Sequence, residues 1–140
     1  MIVVIDTNVL LSMLGASHPF HEILRRWMRG GFVLALGTEI LLEYEEIAKP
    51  RVGDARWQEF LVLLEGVATL RKNLLRITPS FRFHLITADP DDDKFADCAI
   101  AAEADWIITA DQHFAALIGS GYKPQPVTPE EFLRRHLGGG

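Results

Sequence analysis

The chain has a single cysteine, Cys98, so it can form no disulfide within itself. That agrees with a reducing cytosol. No apolar run approaches the roughly 20 residues needed to span a bilayer. The start, Met-Ile-Val-Val-Ile-Asp, has no basic region and meets an aspartate at once, so no signal peptide is expected. There is no excess of positive charge. Against 14 Lys and Arg stand 19 Asp and Glu, a net charge of −5, which does not advertise nucleic-acid binding. No internal repeat and no low-complexity linker interrupts the chain. The expectation is a cytoplasmic protein without membrane contact. At 140 residues, 49% hydrophobic and 24% charged, it has the size and composition of one globular domain. That domain is expected over residues 1–137, with a flexible glycine tail at 138–140.

What the chain does have is strands alternating with helices. Ile2 to Ile5 is a β-branched run with no polar member, suited to a strand covered on both faces. Residues 32–36 and Trp106 to Thr109 read the same way. Leu74 to Ile77 reads as an edge strand and Val127 as part of a last one. Helices are expected from Asn8 to Leu14, from Phe20 to Met28, from Glu39 to Ala48 with Thr38 as its cap and Pro50 as its stop, and from Ala55 to Arg71. The last of these carries Phe60, Leu63, Leu64, Val67 and Leu70 at helical spacing. Further helices are expected from Pro90 to about Glu103, around Phe114 to Ile118, and from Pro129. This alternation predicts a three-layer α/β/α fold with a central, mostly parallel sheet.

In such sheets ligands bind at the carboxyl ends of the strands. Asp6 follows the first strand immediately, and Asp111 follows the Trp106–Thr109 strand, so both are expected at one rim. Asp6 has a rival reading as a helix cap, a task Asn8 could also perform. Glu43 lies three residues after Ile40 and four before Ile47, on or beside the apolar stripe of its helix. A rim glutamate reaching water explains it equally, and Glu45 and Glu46 compete for its place. Asp93 closes a run of three aspartates whose charges favour a helix start. Asp97 is one turn further on, in an otherwise apolar helix, where a charge needs a partner. Thr109 offers a hydroxyl beside Asp111. Cys98 reads as a small core residue, and His113 is the most interesting of the histidines.

Several carboxylates in one cleft repel one another, and a divalent cation relieves them. Such an ion, with positions left open, suits phosphodiester hydrolysis. If an ion neutralises the acids, basic residues such as Arg25, Arg29, Arg51, Arg76 and Arg82 could contact phosphates. Solvated helix faces explain most of them as well.

The segments V-V-I-D-T-N-V-L, E-I-L-L-E-Y-E-E-I, D-P-D-D-D-K-F and W-I-I-T-A-D together resemble the PIN-domain family. The similarity is strongest to its bacterial and archaeal branch of toxin components from toxin–antitoxin pairs, and it runs from Ile2 to about Leu133. The resemblance implies a metal-dependent endoribonuclease. It implies that Asp6, Glu43, Asp93 and Asp111 are catalytic and hold Mg²⁺ or Mn²⁺, with Asn8, Asp97 and Thr109 as auxiliary residues. It also implies an RNA substrate, a small antitoxin partner and a possible homodimer. The apolar residues Leu10, Leu11, Leu14, Phe20 and Trp27 could serve that pairing or simply the core. Two rivals come from other classes. A metal-dependent phosphatase or phosphoacceptor also places an aspartate at a strand end, but Asn8 stands where haloacid-dehalogenase-type enzymes need a second aspartate. A non-catalytic PIN-like module binding RNA or protein is the other.

Overall fold

The computed structural model describes residues 1–79, 81–86 and 89–137, so the tail expected at 138–140 lies outside the described residues. Strand β1 (Ile2–Ile5) is followed by helices α1 (Thr7–Met13) and α2 (His21–Met28). Strand β2 (Val33–Leu36) then leads into α3 (Thr38–Val52) and α4 (Asp54–Arg71), and β3 (Leu74–Arg76) follows. A 3₁₀ turn at Pro90–Asp92 opens α5 (Asp93–Ala101), which precedes β4 (Trp106–Ile108). A second 3₁₀ stretch, Gln112–Leu117, precedes β5 (Gln125–Val127) and α6 (Pro129–Phe132), which continues as a π-helical turn over Leu133–Leu137.

The strands form one 5-stranded sheet in the order β3-β2-β1-β4-β5, every pair parallel. Val3 pairs with Leu34 on one side and Trp106 on the other. Helices cover both faces in a three-layer α/β/α arrangement, as the alternation predicts. Because β1, β2 and β3 step outward one way and β4 and β5 the other, the chain reverses direction between β1 and β4. A crevice opens at such a reversal, at the carboxyl ends of the strands. The expected edge strand is β3, and Pro126 is tolerated because β5 is the opposite edge. No helix among the described residues is long and apolar enough to cross a membrane.

Several boundaries differ from the sequence reading. Thr38 is the first residue of α3, not its cap; Gly37 holds that place and supplies no side chain. Pro50 does not stop α3, which runs on to Val52. Proline removes one N–H bond to the residue four back. That residue is Glu46, which is exposed, so water can satisfy its carbonyl. The helix ends at Gly53, whose φ of 91° suits glycine and turns the chain into α4. On α4 the buried residues are Trp57, Phe60 and Leu64, while Leu70 is exposed. Leu10 and Trp27 are core residues, and Leu11, Leu14 and Phe20 pack partly against them.

Two buried polar pairs fix the helices to the sheet. Trp27 Nε1 donates to the Asn73 carbonyl at 3.0 Å, and Asn73 Nδ2 donates back to the Trp27 carbonyl at 2.7 Å, locking α2 to the entry of β3. Tyr44, fully buried on α3, donates its hydroxyl to the carbonyl of Ile5, the last residue of β1. This second pair sets the neighbouring Glu43 beside the end of β1.

Candidate metal centre

At the reversal point, the β1–β4 ladder extends one residue into the rim. Asp6 N–H donates to the Ile108 carbonyl at 3.0 Å, which fixes the Asp6 backbone and aims its side chain over the strand ends. Asp6 stands at the cap position of α1 but makes no side-chain cap bond, so its carboxylate is left for the rim. Asn8 does not cap α1 either; the helix starts before it, at Thr7, and Asn8 is exposed. Asp6 is 6% exposed, and its Oδ2 accepts from Thr109 Oγ1 at 2.8 Å. The same hydroxyl oxygen accepts the N–H of Asp111 at 3.0 Å. Thr109 thus spaces two acids with one buried group.

Glu43 reaches this place from α3. Its Oε2 accepts the hydroxyl of Thr7, and its Oε1 lies 2.6 Å from Lys94 Nζ. Glu45 instead pairs with Lys49 on its own helix, and Glu46 is exposed, so Glu43 is the glutamate that faces the rim. Thr7 and Lys94 are participants the sequence reading missed. Lys94 was legible only as part of D-D-D-K-F, and Thr7 only as the middle of D-T-N.

The aspartate run is divided by its geometry. In a 3₁₀ turn, side chains three apart eclipse. Asp89 and Asp92 therefore share one side of the Pro90–Asp92 turn, and Asp89 Oδ1 caps it by accepting Asp91 N–H at 3.1 Å. Asp92 faces Asp6 and Asp111. Asp93, the next residue, starts α5 about 100° around the axis and faces elsewhere. Its Oδ1 accepts Ile86 N–H at 2.9 Å, and one turn on Asp97 Oδ1 accepts Phe83 N–H at 3.0 Å. Together they hold residues 83–86 against α5. The structure thus brings Asp6, Glu43 and Asp111 to one rim and joins Asp92 to them. Asp93 and Asp97 lie beside the group rather than in it.

The electrostatics are those of crowded acids. Burial pushes the Asp92 carboxyl up to about 7, helped by the negative charges of Asp6, Asp89 and Asp111. Burial also raises Asp6; bonds from Thr109 and the Thr7 backbone oppose the rise, and Asp111 and Glu43 add to it. Asp92 Oδ2 is buried and has no hydrogen-bond partner among the described residues. His113 stands over the group, its Nδ1 3.7 Å from Asp92 Oδ2 and 3.4 Å from Asp111 Oδ1. Ligand atoms of Asp89, Asp92 and His113 all lie within 4.8 Å of one another. Among the described residues, no lysine or arginine pairs with Asp6, Asp92 or Asp111, and Lys94 meets Glu43 alone. An orphaned carboxylate oxygen amid hard oxygen donors fits a divalent cation. Cys98 takes no part: it is buried, and its thiol is pushed up to about 12 by burial and by Asp97.

Fold and site define a parallel α/β protein with an acidic group at the rim of the β1–β4 crevice. A model of the PIN domain family matches residues 2–113, and the chain belongs to that family. No curated protein and no solved structure matches it.

Proposed function

We propose that this PIN domain is a Mg²⁺- or Mn²⁺-dependent endoribonuclease and the toxin component of a toxin–antitoxin pair. The single observation that carries the nuclease reading is the group of Asp6, Asp92 and Asp111 at the crevice, beside which, among the described residues, stands His113 but no lysine or arginine. Family membership supports it. The toxin role, a small antitoxin partner and a homodimer rest on the resemblance of the D-P-D-D-D-K-F and W-I-I-T-A-D segments alone.

In this reading Asp6, Glu43, Asp92 and Asp111 hold the ion, with Asp89 and His113 within reach of it. When bound, such an ion polarises a phosphate oxygen and lowers the pKa of water. The chain's own part is positional. Thr109 fixes the spacing of Asp6 and Asp111, and Thr7 orients Glu43. Lys94 offers a cation beside the phosphate path. Asp93, assigned to the ion by resemblance, contributes by holding Ile86 against the start of α5. Asn8 and Asp97 stand outside the ion's immediate surroundings.

The test is cleavage of an end-labelled single-stranded RNA by protein stripped with EDTA and then given Mg²⁺ or Mn²⁺. Internal cuts that return with the ion, and are lost in Asp6→Asn, support the reading. Cleavage indifferent to EDTA, or no cleavage with either ion, sinks it.

A further inference from the structure

Beside the acidic group, on the same rim, lies a cavity of about 260 Å³. It opens at the carboxyl ends of β2 and β3, between the start of α3, the middle of α5 and the segment around Phe81. Gly37, Thr38, Phe81, Arg82, Lys94 and Asp97 are among the residues lining it. Lys94 is shared with the acidic group through Glu43, so cavity and group are neighbours along one path. The volume is below the ~300–1,000 Å³ of whole-ligand pockets and suits one flat ring system.

Three features of its wall point to the occupant. Asp97 is 3% exposed, and its Oδ1 is taken by Phe83 N–H; among the described residues no donor reaches its Oδ2. A buried carboxylate with spare acceptor capacity calls for a ligand N–H. Phe81 is 72% exposed, a large ring left in water at the cavity's edge. It heads the run Phe81-Arg82-Phe83-His84, in which aromatic and basic side chains alternate. Its ring is 6.4 Å from that of Phe83, which is 5.2 Å from that of Tyr122, forming a row. Arg82 bridges to Glu39 at 3.0 Å with both side chains exposed. Exposed pairs of this kind are weak, which leaves the guanidinium available to a phosphate. Stacking rings beside cations are how proteins hold single-stranded nucleic acid.

We propose that this cavity is a nucleobase subsite for single-stranded RNA flanking the cut, in which a base stacks on Phe81 and presents an N–H to Asp97. It rests on the ribonuclease reading and specifies which strands that site accepts. Asp97 can only accept, so adenine and cytosine fit through their exocyclic amines, guanine through its amine and N1–H, and uracil through its N3–H; a base with no N–H to offer fits least.

The experiment uses the full chain carrying Asp6→Asn, so that the RNA stays intact, and fluorescence anisotropy with labelled oligo(U) and its N3-methylated counterpart, whose bases have no N–H. Oligo(U) should bind more tightly than the N3-methylated strand. Phe81→Ala should weaken binding by roughly 5- to 100-fold, and Phe81→Trp should restore it. In Asp97→Asn the amide oxygen can still accept Phe83 N–H while its NH₂ faces the cavity and can only donate, so the preference for a base with a free N–H should disappear. Unchanged affinity in Phe81→Ala, or an unchanged base preference in Asp97→Asn, overturns the subsite. So does a Phe81→Ala protein that binds RNA normally but changes its oligomeric state, which would make the aromatic row a protein contact. Cleavage by the protein with Asp6 restored separates the two readings. If it cuts RNA and the subsite variants bind as the parent does, only the subsite fails. If it neither binds nor cuts RNA, both fail.

Discussion

Lys94 Nζ lies 2.6 Å from Glu43 Oε1, with the two side chains only 19% and 21% exposed. The lysine occupies the position of a counter-charge at the edge of the acidic group. A divalent ion drawing on Glu43 therefore has to share it with this ammonium. Replacing Lys94 by methionine keeps the length of the side chain and removes the charge. Mn²⁺ binding should tighten by roughly tenfold in titration calorimetry, about 1.4 kcal/mol. The ion-free variant should also melt at a lower temperature than the parent, because Glu43 is left half-buried without its partner. Weaker Mn²⁺ binding would mean that the lysine supports the ion rather than competes with it.

Thr109 is the joint between Asp6 and Asp111, and it is 3% exposed. Valine has nearly the same shape but neither donates nor accepts. Thr109→Val should leave the Asp111 N–H without its acceptor and Asp6 without its donor, at a cost of about 1–3 kcal/mol. Thr109→Ser keeps the hydroxyl and should lose much less. Chemical denaturation of both variants checks this. A Thr109→Val protein as stable as the parent would show that the two hydrogen bonds contribute nothing to stability.

The sequence made the sheet legible because buried parallel strands are written as continuous apolar runs, and Ile2–Ile5 and Trp106–Ile108 are short, pure examples. Asp6 and Asp111 were legible for the same reason: a carboxylate directly after such a run must stand at the rim. The aspartate run was harder. Reading it as α-helix put Asp93 in phase with Asp97, and they do share a face, but that face holds residues 83–86. The 3₁₀ turn before it changes the phase and delivers Asp92 to the rim, and local sequence does not distinguish a 3₁₀ turn from the first turn of a helix. Thr7 and Lys94 gain their roles from partners 36 and 51 positions away, which periodicity cannot show. Pro50 misled because a proline close to a helix end removes a single bond from a solvated carbonyl.

Asp92 makes the stability of the ion-free protein depend on pH with a definite sign. Its folded value of about 7 lies above its ordinary 3.8, so between those two the folded state binds more protons than the unfolded state. Stability therefore falls as pH rises through that window and levels off above it. Asp6 and Asp97, also raised by burial, act in the same direction. Asp105 and Glu22 are lowered by their partners, and their contribution is lost only as pH falls below the ordinary carboxylate range. In Asp92→Asn the slope approaching pH 7 should flatten and the neutral-pH melting temperature should rise. With saturating Mn²⁺ the sign should reverse, because the ion takes the deprotonated acids. Melting curves across pH in EDTA and in Mn²⁺ read both effects. A slope unchanged by Asp92→Asn would place the proton elsewhere.

His113 bears on which ion the site prefers. Its Nδ1 stands within 3.7 Å of Asp92 and 3.4 Å of Asp111, and its reach overlaps that of Asp89. Carboxylates alone suit Mg²⁺, whereas an imidazole among them favours the later transition metals and, more modestly, Mn²⁺. The protein should therefore bind Mn²⁺ more tightly than Mg²⁺. His113→Ala should weaken Mn²⁺ binding by roughly tenfold, as loss of groups around a metal commonly does, and leave Mg²⁺ binding nearly unchanged. Pulsed electron paramagnetic resonance gives a direct reading, since a coordinated imidazole imprints nitrogen coupling on the Mn²⁺ signal. That coupling should be present in the parent and absent in His113→Ala. A parent spectrum without nitrogen coupling would establish an all-oxygen site and leave His113 as a lid over it.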